Sequence, residues 1–274
     1  MTINCKGILV DLSTPKVMGI LNVTPNSFYD GGKYKNESEI LSQVEKMLVD
    51  GASFIDIGAY SSKPNAEFVS EQEEISRIIP VIDLVLKHFP DTMLSIDTFR
   101  NEVAKVAIEN GAAIINDISA GNLDDKMLEV IGKYNVPYIM MHMRGNPQTM
   151  QTLTNYEDIV KEMLFYFSER VAKARTFGIN DLILDPGFGF AKTIDQNYEV
   201  FQKMELFKML ELPLLVGISR KSMIYKTLDS TIEKAMNGTT VLNTLALTKG
   251  ANIIRVHDVK EAVECVTLFN KINL

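Results

Sequence analysis

Cysteine is nearly missing from this chain: Cys5 and Cys265 stand near opposite ends, with no CxxC or Cys/His spacing around them. That excludes a disulfide framework and a thiolate zinc site, and it fits a reducing compartment in which both thiols act as small buried hydrophobes. Long apolar runs are lacking too. None approaches the roughly 18–20 residues that a membrane helix needs. Asn4, Lys6 and Asp11 stand where a signal peptide would have its apolar core, so a cytoplasmic location is expected. There is no excess of positive charge: 28 basic residues against 35 acidic ones leave a net charge of −7. Such a field repels polyanions, so nucleic acid is not expected as the main partner, while a local basic site for an anionic metabolite stays open. Several catalytic signatures are also absent. The chain has no Ser–His–Asp order with a nucleophile elbow, no HExxH, no GxxxxGK[ST] phosphate loop, and no GxGxxG after its first long apolar segment.

What is present is a repeat of events. After a short hairpin predicted over Ile3–Leu12, with Lys6-Gly7 as its turn and a plug or cover as its role, Val17–Leu21 is apolar and stops at Asn22. A helical spacing follows over Ser38–Asp50, Gly51 ends it, and Phe54-Ile55 runs to Asp56. The same order returns three times. Gly111 precedes Ile114-Ile115 and Asn116, Gly178 precedes Leu182–Leu184 and Asp185, and Gly250 precedes Ile253-Ile254 and Arg255. In each case a glycine closes a helix, a buried strand follows, and a polar residue stands at the strand's carboxyl end. Met93–Ile96 before Asp97, Val136–Met141 before His142, and Pro213–Gly217 before Ser219-Arg220 complete the set. Further helices are expected over Ser70–Pro90, Asn101–Glu109, Asp124–Tyr134, Asn155–Phe177, Ile194–Leu210, Thr231–Lys249 and Val259–Asn270. Eight strands alternating with eight helices in 274 residues predict a single-domain α/β protein, a (β/α)8 TIM barrel with a short N-terminal β-hairpin. A doubly wound open sheet is the runner-up.

In such a barrel the active site lies at the carboxyl ends of the strands, so the strand-terminal residues are the candidates: Asn22, Asp56, Asp97, Asn116, His142, Asp185, Lys221, Arg255 and His257. A single Asp at a strand end is often only a helix cap; several converging on one rim point to a ligand. Carboxylates and an amide suit the edge of a planar heterocycle rich in N–H and C=O groups. Lys221 and Arg255 suit its carbonyl, its face or an anionic tail. Gly19–Gly32, with Phe28 and Tyr29 between turn residues, reads as a flap that closes over a ligand. Asp185–Phe190 reads as a ligand wall, since it leads with an acid and alternates aromatics with glycines.

Six segments in register resemble the dihydropteroate synthase family of the folate pathway: Gly19–Gly32, Ser95-Ile96-Asp97-Thr98, Asn116–Gly121, Asp185–Thr193, Ser219–Ser222 and Arg255–Asp258. The likeness runs from Val17 to the last helix. It implies a Mg²⁺-dependent, sulfonamide-sensitive transferase, homodimeric, that condenses 6-hydroxymethyl-7,8-dihydropterin pyrophosphate with p-aminobenzoate. It further implies that Asp97, Asn116, Asp185, Lys221 and Arg255 hold the pterin, with Asp97, Lys221 and Arg255 closest to the chemistry. Asn22 with Mg²⁺, Ser62, Arg255 and His257 would hold the pyrophosphate, and Phe28, Lys63, Pro64, Phe190 and Ser222 the p-aminobenzoate. The second loop departs from the family pattern of Ser-Thr-Arg-Pro-Gly: here it reads Ser61-Ser62-Lys63-Pro64-Asn65, so the planar guanidinium fork is replaced by a point charge. Two other readings remain open on the sequence, a pterin-binding domain serving corrinoid methyl transfer and a non-catalytic paralogue.

Overall fold

Inward and outward residues alternate so regularly along the central strands that two separate apolar cores result. A computed structural model describes residues 1–23, 33–60 and 69–272 of the chain. The hairpin comes first in the chain, with β1 (Thr2–Cys5) antiparallel to β2 (Ile8–Asp11), and Lys6 and Gly7 take positive φ of 54° and 84° in its two-residue turn. Eight parallel strands follow: β3 (Lys16–Asn22), β4 (Phe54–Gly58), β5 (Leu94–Asp97), β6 (Ile114–Asp117), β7 (Tyr138–Met141), β8 (Leu182–Asp185), β9 (Leu215–Val216) and β10 (Ile253–Val256). They pair in the order β8-β7-β6-β5-β4-β3-β10-β9. A parallel bridge between Leu184 and Leu214, with Leu184 N–H donating to Pro213 O at 2.9 Å, brings the two outer strands together and closes the ring. The expected (β/α)8 barrel with its N-terminal hairpin is therefore the fold.

The helices are α1 (Lys33–Val49), α2 (Glu71–His88), α3 (Asn101–Glu109), α4 (Met127–Tyr134), α5 (Ile159–Thr176), α6 (Ile194–Gln202), α7 (Ser222–Tyr225), α8 (Met236–Thr248) and α9 (Val259–Ile272). Gly51, Gly111, Gly178 and Gly250 all have φ between +77° and +104°, the left-handed conformation in which a residue without Cβ ends a helix at little cost. The outward residues of the strands (Ile55, Ile57, Leu94, Ile96, Ile115, Tyr138, Leu184, Val256) pack against the helices as the larger core. The inward residues at the amino ends (Met18, Phe54, Ile114, Ile139, Ile183, Leu215, Ile253) form the smaller one with Ile3, Cys5 and Leu12 of the hairpin segment. The hairpin is thus a plug, and its Asn4 N–H also reaches Asp181 Oδ2 at 2.9 Å. Cys5 and Cys265 are both buried and free. Among the described residues no helix is long and apolar enough to cross a membrane.

Several boundaries differ from expectation. The predicted helix over Ile194–Leu210 ends at Gln202 and continues as a 3₁₀ helix over Met204–Leu210, and Thr231–Lys249 likewise opens with a 3₁₀ turn, Ile232–Lys234. Apolar spacing alone does not distinguish three residues per turn from 3.6 in such short pieces. The seventh barrel strand shrinks to Leu215–Val216, because pairing there is limited to two registered residues of β10 and one bridge to β8. Helix α1 starts at Lys33, five residues before the predicted Ser38, so periodicity marked only its apolar-spaced part. The four-residue α7 was not anticipated, which makes nine α-helices among the described residues against the eight predicted.

Candidate active site

Two residues beyond the apolar inner layer, the inward positions turn polar. They are Asp56 on β4, Asn116 on β6, Asp185 on β8 and Arg255 on β10; β5 supplies Ser95 and, at its end, Asp97. The alternation of strand side chains places them all on one interior surface. Arg255 spans the mouth: its Nε donates to Asp56 Oδ2 at 2.6 Å and its terminal nitrogen to Asp97 Oδ2 at 3.0 Å. Asn116 Nδ2 also donates to Asp56 Oδ2, at 3.1 Å. Asp56, fully buried, is thus the hub on which the guanidinium and the amide are oriented. It stands among the strand-terminal residues, but nothing in its sequence context marks it as the centre. Asp56 Oδ1 and Ser95 Oγ are buried without a partner in the described structure.

The electrostatics are those of a desolvated cluster. Burial pushes the Asp97 carboxyl up to about 7, against the downward pull of Arg255 and with help from Asp56. Burial also raises Asp185, which Lys221 opposes. The amines shift the other way for the same reason: burial lowers Lys221 to about 8 and Lys192 to about 7, with Asp185 pulling each back up. Paired groups displaced toward neutrality in one concave face are characteristic of functional sites.

The β8 end carries the wall. Gly187 N–H donates to Asp185 Oδ1 at 2.7 Å, and Lys221 Nζ donates to Phe188 O while lying 4.8 Å from the Phe190 ring centroid. Gly187 has φ +66°, and a Cβ there would stand 2.3 Å from His142 O, so the turn and the β7 end approach as closely as only glycine permits. Phe190 also joins Phe99, Met141 and Met143 in an apolar cluster on the rim. On the other side, β9 and β10 are cross-linked just past their ends. His257 N–H donates to Ser219 Oγ at 3.1 Å, Ser219 Oγ meets His257 Nδ1 at 3.0 Å, and Arg220 binds Asp258 through two bonds of 2.9 and 2.7 Å. His257 is solvent-exposed at this rim, and Ser222 opens α7 next to Lys221.

Of the residues singled out by sequence, Asp97, Asn116 and Arg255 are joined in one network through Asp56, and Asp185, Lys221 and Phe190 form an adjacent group. Asn22 is exposed at the end of β3; its Oδ1 and Asp97 Oδ2 lie 3.9 and 3.7 Å from the same point, an ideal Cβ on Gly58. Phe28, Ser62, Lys63, Pro64 and the flap expected over Thr24–Gly32 lie outside the described residues. Asp117, next to Asn116, faces outward. It accepts from Ser119 N–H, Gly121 N–H and Tyr138 O–H at 2.6–2.7 Å and so anchors the loop after β6. Lys192 lies in the family-like segment Asp185–Thr193, yet sequence reasoning gave it no role, because nothing in that segment says where its buried amine ends.

A closed parallel barrel with converging carboxylates, amide, guanidinium and amines at the carboxyl ends of its strands defines a (β/α)8 enzyme with a small-molecule site. The pattern of the family described as "Pterin binding enzyme" matches residues 18–257. Over 268 residues the chain is 41% identical to the dihydropteroate synthase of Escherichia coli K12, covering 97% of this chain and 94% of that one. It is 47% identical over 247 residues to that of Synechocystis sp., covering 89% and 85%. The crystal structure of the Yersinia pestis dihydropteroate synthase with a sulfonamide drug complex superposes with a TM-score of 0.92 at 40% identity, covering 100% of this chain and 99% of that one. The chain belongs to the pterin binding enzyme family, among the dihydropteroate synthases.

Proposed function

We propose that this chain condenses 6-hydroxymethyl-7,8-dihydropterin pyrophosphate with p-aminobenzoate, giving 7,8-dihydropteroate and pyrophosphate. The observation that carries the reading is the Asp56-centred network. It holds one guanidinium, one amide and two carboxylates on the inner wall of a barrel, beside Asp185 and Lys221, in a chain this similar to dihydropteroate synthases. Asp97, Asn116 and Asp185 offer acceptors and one donor set for the N–H-rich edge of a pterin, and Lys221 offers a donor for its carbonyl side. Arg255 has its fork on Asp56 and Asp97, and its flat guanidinium would stack on the ring.

The chemistry follows from charge placement. As the C–O bond to pyrophosphate weakens, positive charge spreads from the methylene into the pterin, and the arylamine nitrogen attacks that carbon. Negative charge on Asp97 and Asp185 stabilises the cationic ring, while Arg255 and His257 meet the departing pyrophosphate. The arylamine attacks as a neutral nucleophile, so a strong general base is not needed; its proton leaves after the C–N bond forms. Apolar residues at the rim, Phe190 among them, keep water from the electrophilic carbon.

The family implies Mg²⁺. No group of three or more His, Cys, Asp or Glu placed to hold a metal occurs among the described residues. Mg²⁺ does not require one, since it keeps several waters and binds through one or two oxygen donors together with substrate phosphates. The Asn22 amide oxygen, a hard donor on the same rim as Asp97, fits that pattern. When bound there, the ion would neutralise charge on the leaving pyrophosphate. The deciding experiment is incubation of the purified protein with the pterin pyrophosphate, p-aminobenzoate and Mg²⁺. Equimolar dihydropteroate and pyrophosphate are expected, with competition by a sulfonamide that mimics the arylamine; a folded, pterin-binding protein with no turnover would overturn the assignment.

A further inference from the structure

The turn after β8 is gripped from within the rim by a single buried amine. Lys192 Nζ lies 3.0 Å from Gly187 O, 3.1 Å from Phe190 O and 3.0 Å from His142 Nδ1. An ammonium has three donors, and these three acceptors can take all of them. None of the three is a carboxylate, although the residue is 6% exposed. A buried amine held only by neutral acceptors is expensive, and a position that served packing alone would carry Met or Leu. The two carbonyls it holds are the first and last of the turn 187–190, whose own Phe190 N–H returns to Gly187 O at 3.1 Å. From the other side Lys221 Nζ donates to Phe188 O, and Gly189 N–H donates to Asn197 Oδ1 at 2.7 Å.

The backbone is bent to bring this amine into place. Ala191 has φ +47°, a left-handed conformation that a residue with a Cβ rarely adopts. Tyr156 O–H fixes Ala191 O at 2.9 Å. The turn at Ala191 sends residue 192 back toward the turn that the chain has just left. His142 is a fixed anchor: its N–H donates to Asp185 O at 2.9 Å, and Tyr166 meets its ring edge-on at 4.9 Å between centroids. Burial and the nearby charges of Lys192 and Arg144 hold His142 well below the usual histidine range, so the ring is neutral, and opposite a protonated Lys192 its Nδ1 is the accepting nitrogen.

We propose that Lys192 is a positioning residue for the condensation, fixing the 187–190 turn so that Phe190 stands at the height of the incoming arylamine and Lys221 lies across its ring. This rests on the functional reading above, because the arylamine is what Phe190 would meet. The test compares Lys192→Met, of similar length but without donors, with Lys192→Arg, which restores charge and donors, in the full-length protein. One readout is independent of catalysis: the ¹⁹F resonance of 4-fluorophenylalanine placed at position 190. It is expected to be single in the parent, shifted or split in Lys192→Met, and restored toward the parent in Lys192→Arg. The second readout is kinetic. Lys192→Met is expected to raise KM for p-aminobenzoate about 10-fold with kcat within about threefold, the pattern of lost ground-state placement. If Lys192→Met does not fold, Lys192→Gln is read by the same two measurements. An unchanged resonance with unchanged KM overturns the proposal. So does a lower melting temperature with falling kcat and constant KM, which is the mark of a merely structural residue. A parent protein without turnover overturns the functional reading instead, and the fluorine signal tells the two failures apart.

Discussion

The amino and carboxyl ends of this barrel are made from the same strands and differ by two residues of rise, about 7 Å. At the amino end the inward residues are Phe54, Ile114, Ile183 and Ile253; two positions on they are Asp56, Asn116, Asp185 and Arg255. One end buries apolar surface and is sealed by the hairpin. The other buries carboxylates and amines whose proton affinities are displaced toward neutrality. Stability is therefore concentrated at the closed end, and the open end spends part of it to keep charged groups desolvated and aimed.

Mutations at the two ends should separate these properties cleanly. Phe54→Ala is expected to cost about 3–5 kcal/mol and Ile114→Ala about 2–5 kcal/mol in denaturant unfolding, by loss of burial and creation of a cavity, with pterin affinity of the folded fraction unchanged. Asp185→Asn and Asp97→Asn should do the reverse, weakening pterin binding by about 100-fold or more in calorimetric titration while the unfolding midpoint stays level or rises. Normal titration curves for both Asp variants would mean that the pterin binds elsewhere.

A smaller effect sharpens the electrostatic half of the comparison. Asp97 is held at about 7 by burial, so its charged form, which accepts from the ligand, is lost as pH falls through that value. Pterin affinity should rise from pH 5 to about 7 and level off above, by up to about 10-fold per pH unit on the rising limb, and Asp97→Asn should flatten the profile. The same shift acts on stability with the opposite sign. The folded protein holds this proton more tightly than the unfolded chain, so Asp97's contribution is present below 3.8 and is lost as pH rises to about 7. The smallest effect is expected at the altered second loop, where Lys63→Gln should raise KM for p-aminobenzoate about 3–10-fold with little change in kcat. An unchanged KM would remove Lys63 from the site.

Much of the architecture was legible because it is local. Four glycine stops, each now seen at positive φ, and the polar residue two or three positions past each strand's apolar start were enough to count the barrel. The sequence marked Asn116 as the polar end of its strand, yet it is the barrel that turns Asn116 inward and makes the adjacent Asp117 a loop anchor tied to Tyr138. Short helical pieces were misjudged, since α6 and its 3₁₀ continuation share one apolar pattern and are told apart only by packing.

By itself, then, the sequence determined the repeat, the polar strand ends and the family, all of which are properties of neighbours along the chain. Only the tertiary structure decided which of those ends act together. Asp56 and Arg255 are 199 residues apart, and they meet at 2.6 Å because closing the ring brings β10 beside β3 and β3 beside β4. The tertiary structure likewise decided that Lys192, one residue of the Asp185–Thr193 segment with no role of its own in the sequence, lies under the β8 turn, since nothing local foretells a left-handed Ala191 or a histidine waiting 50 residues upstream.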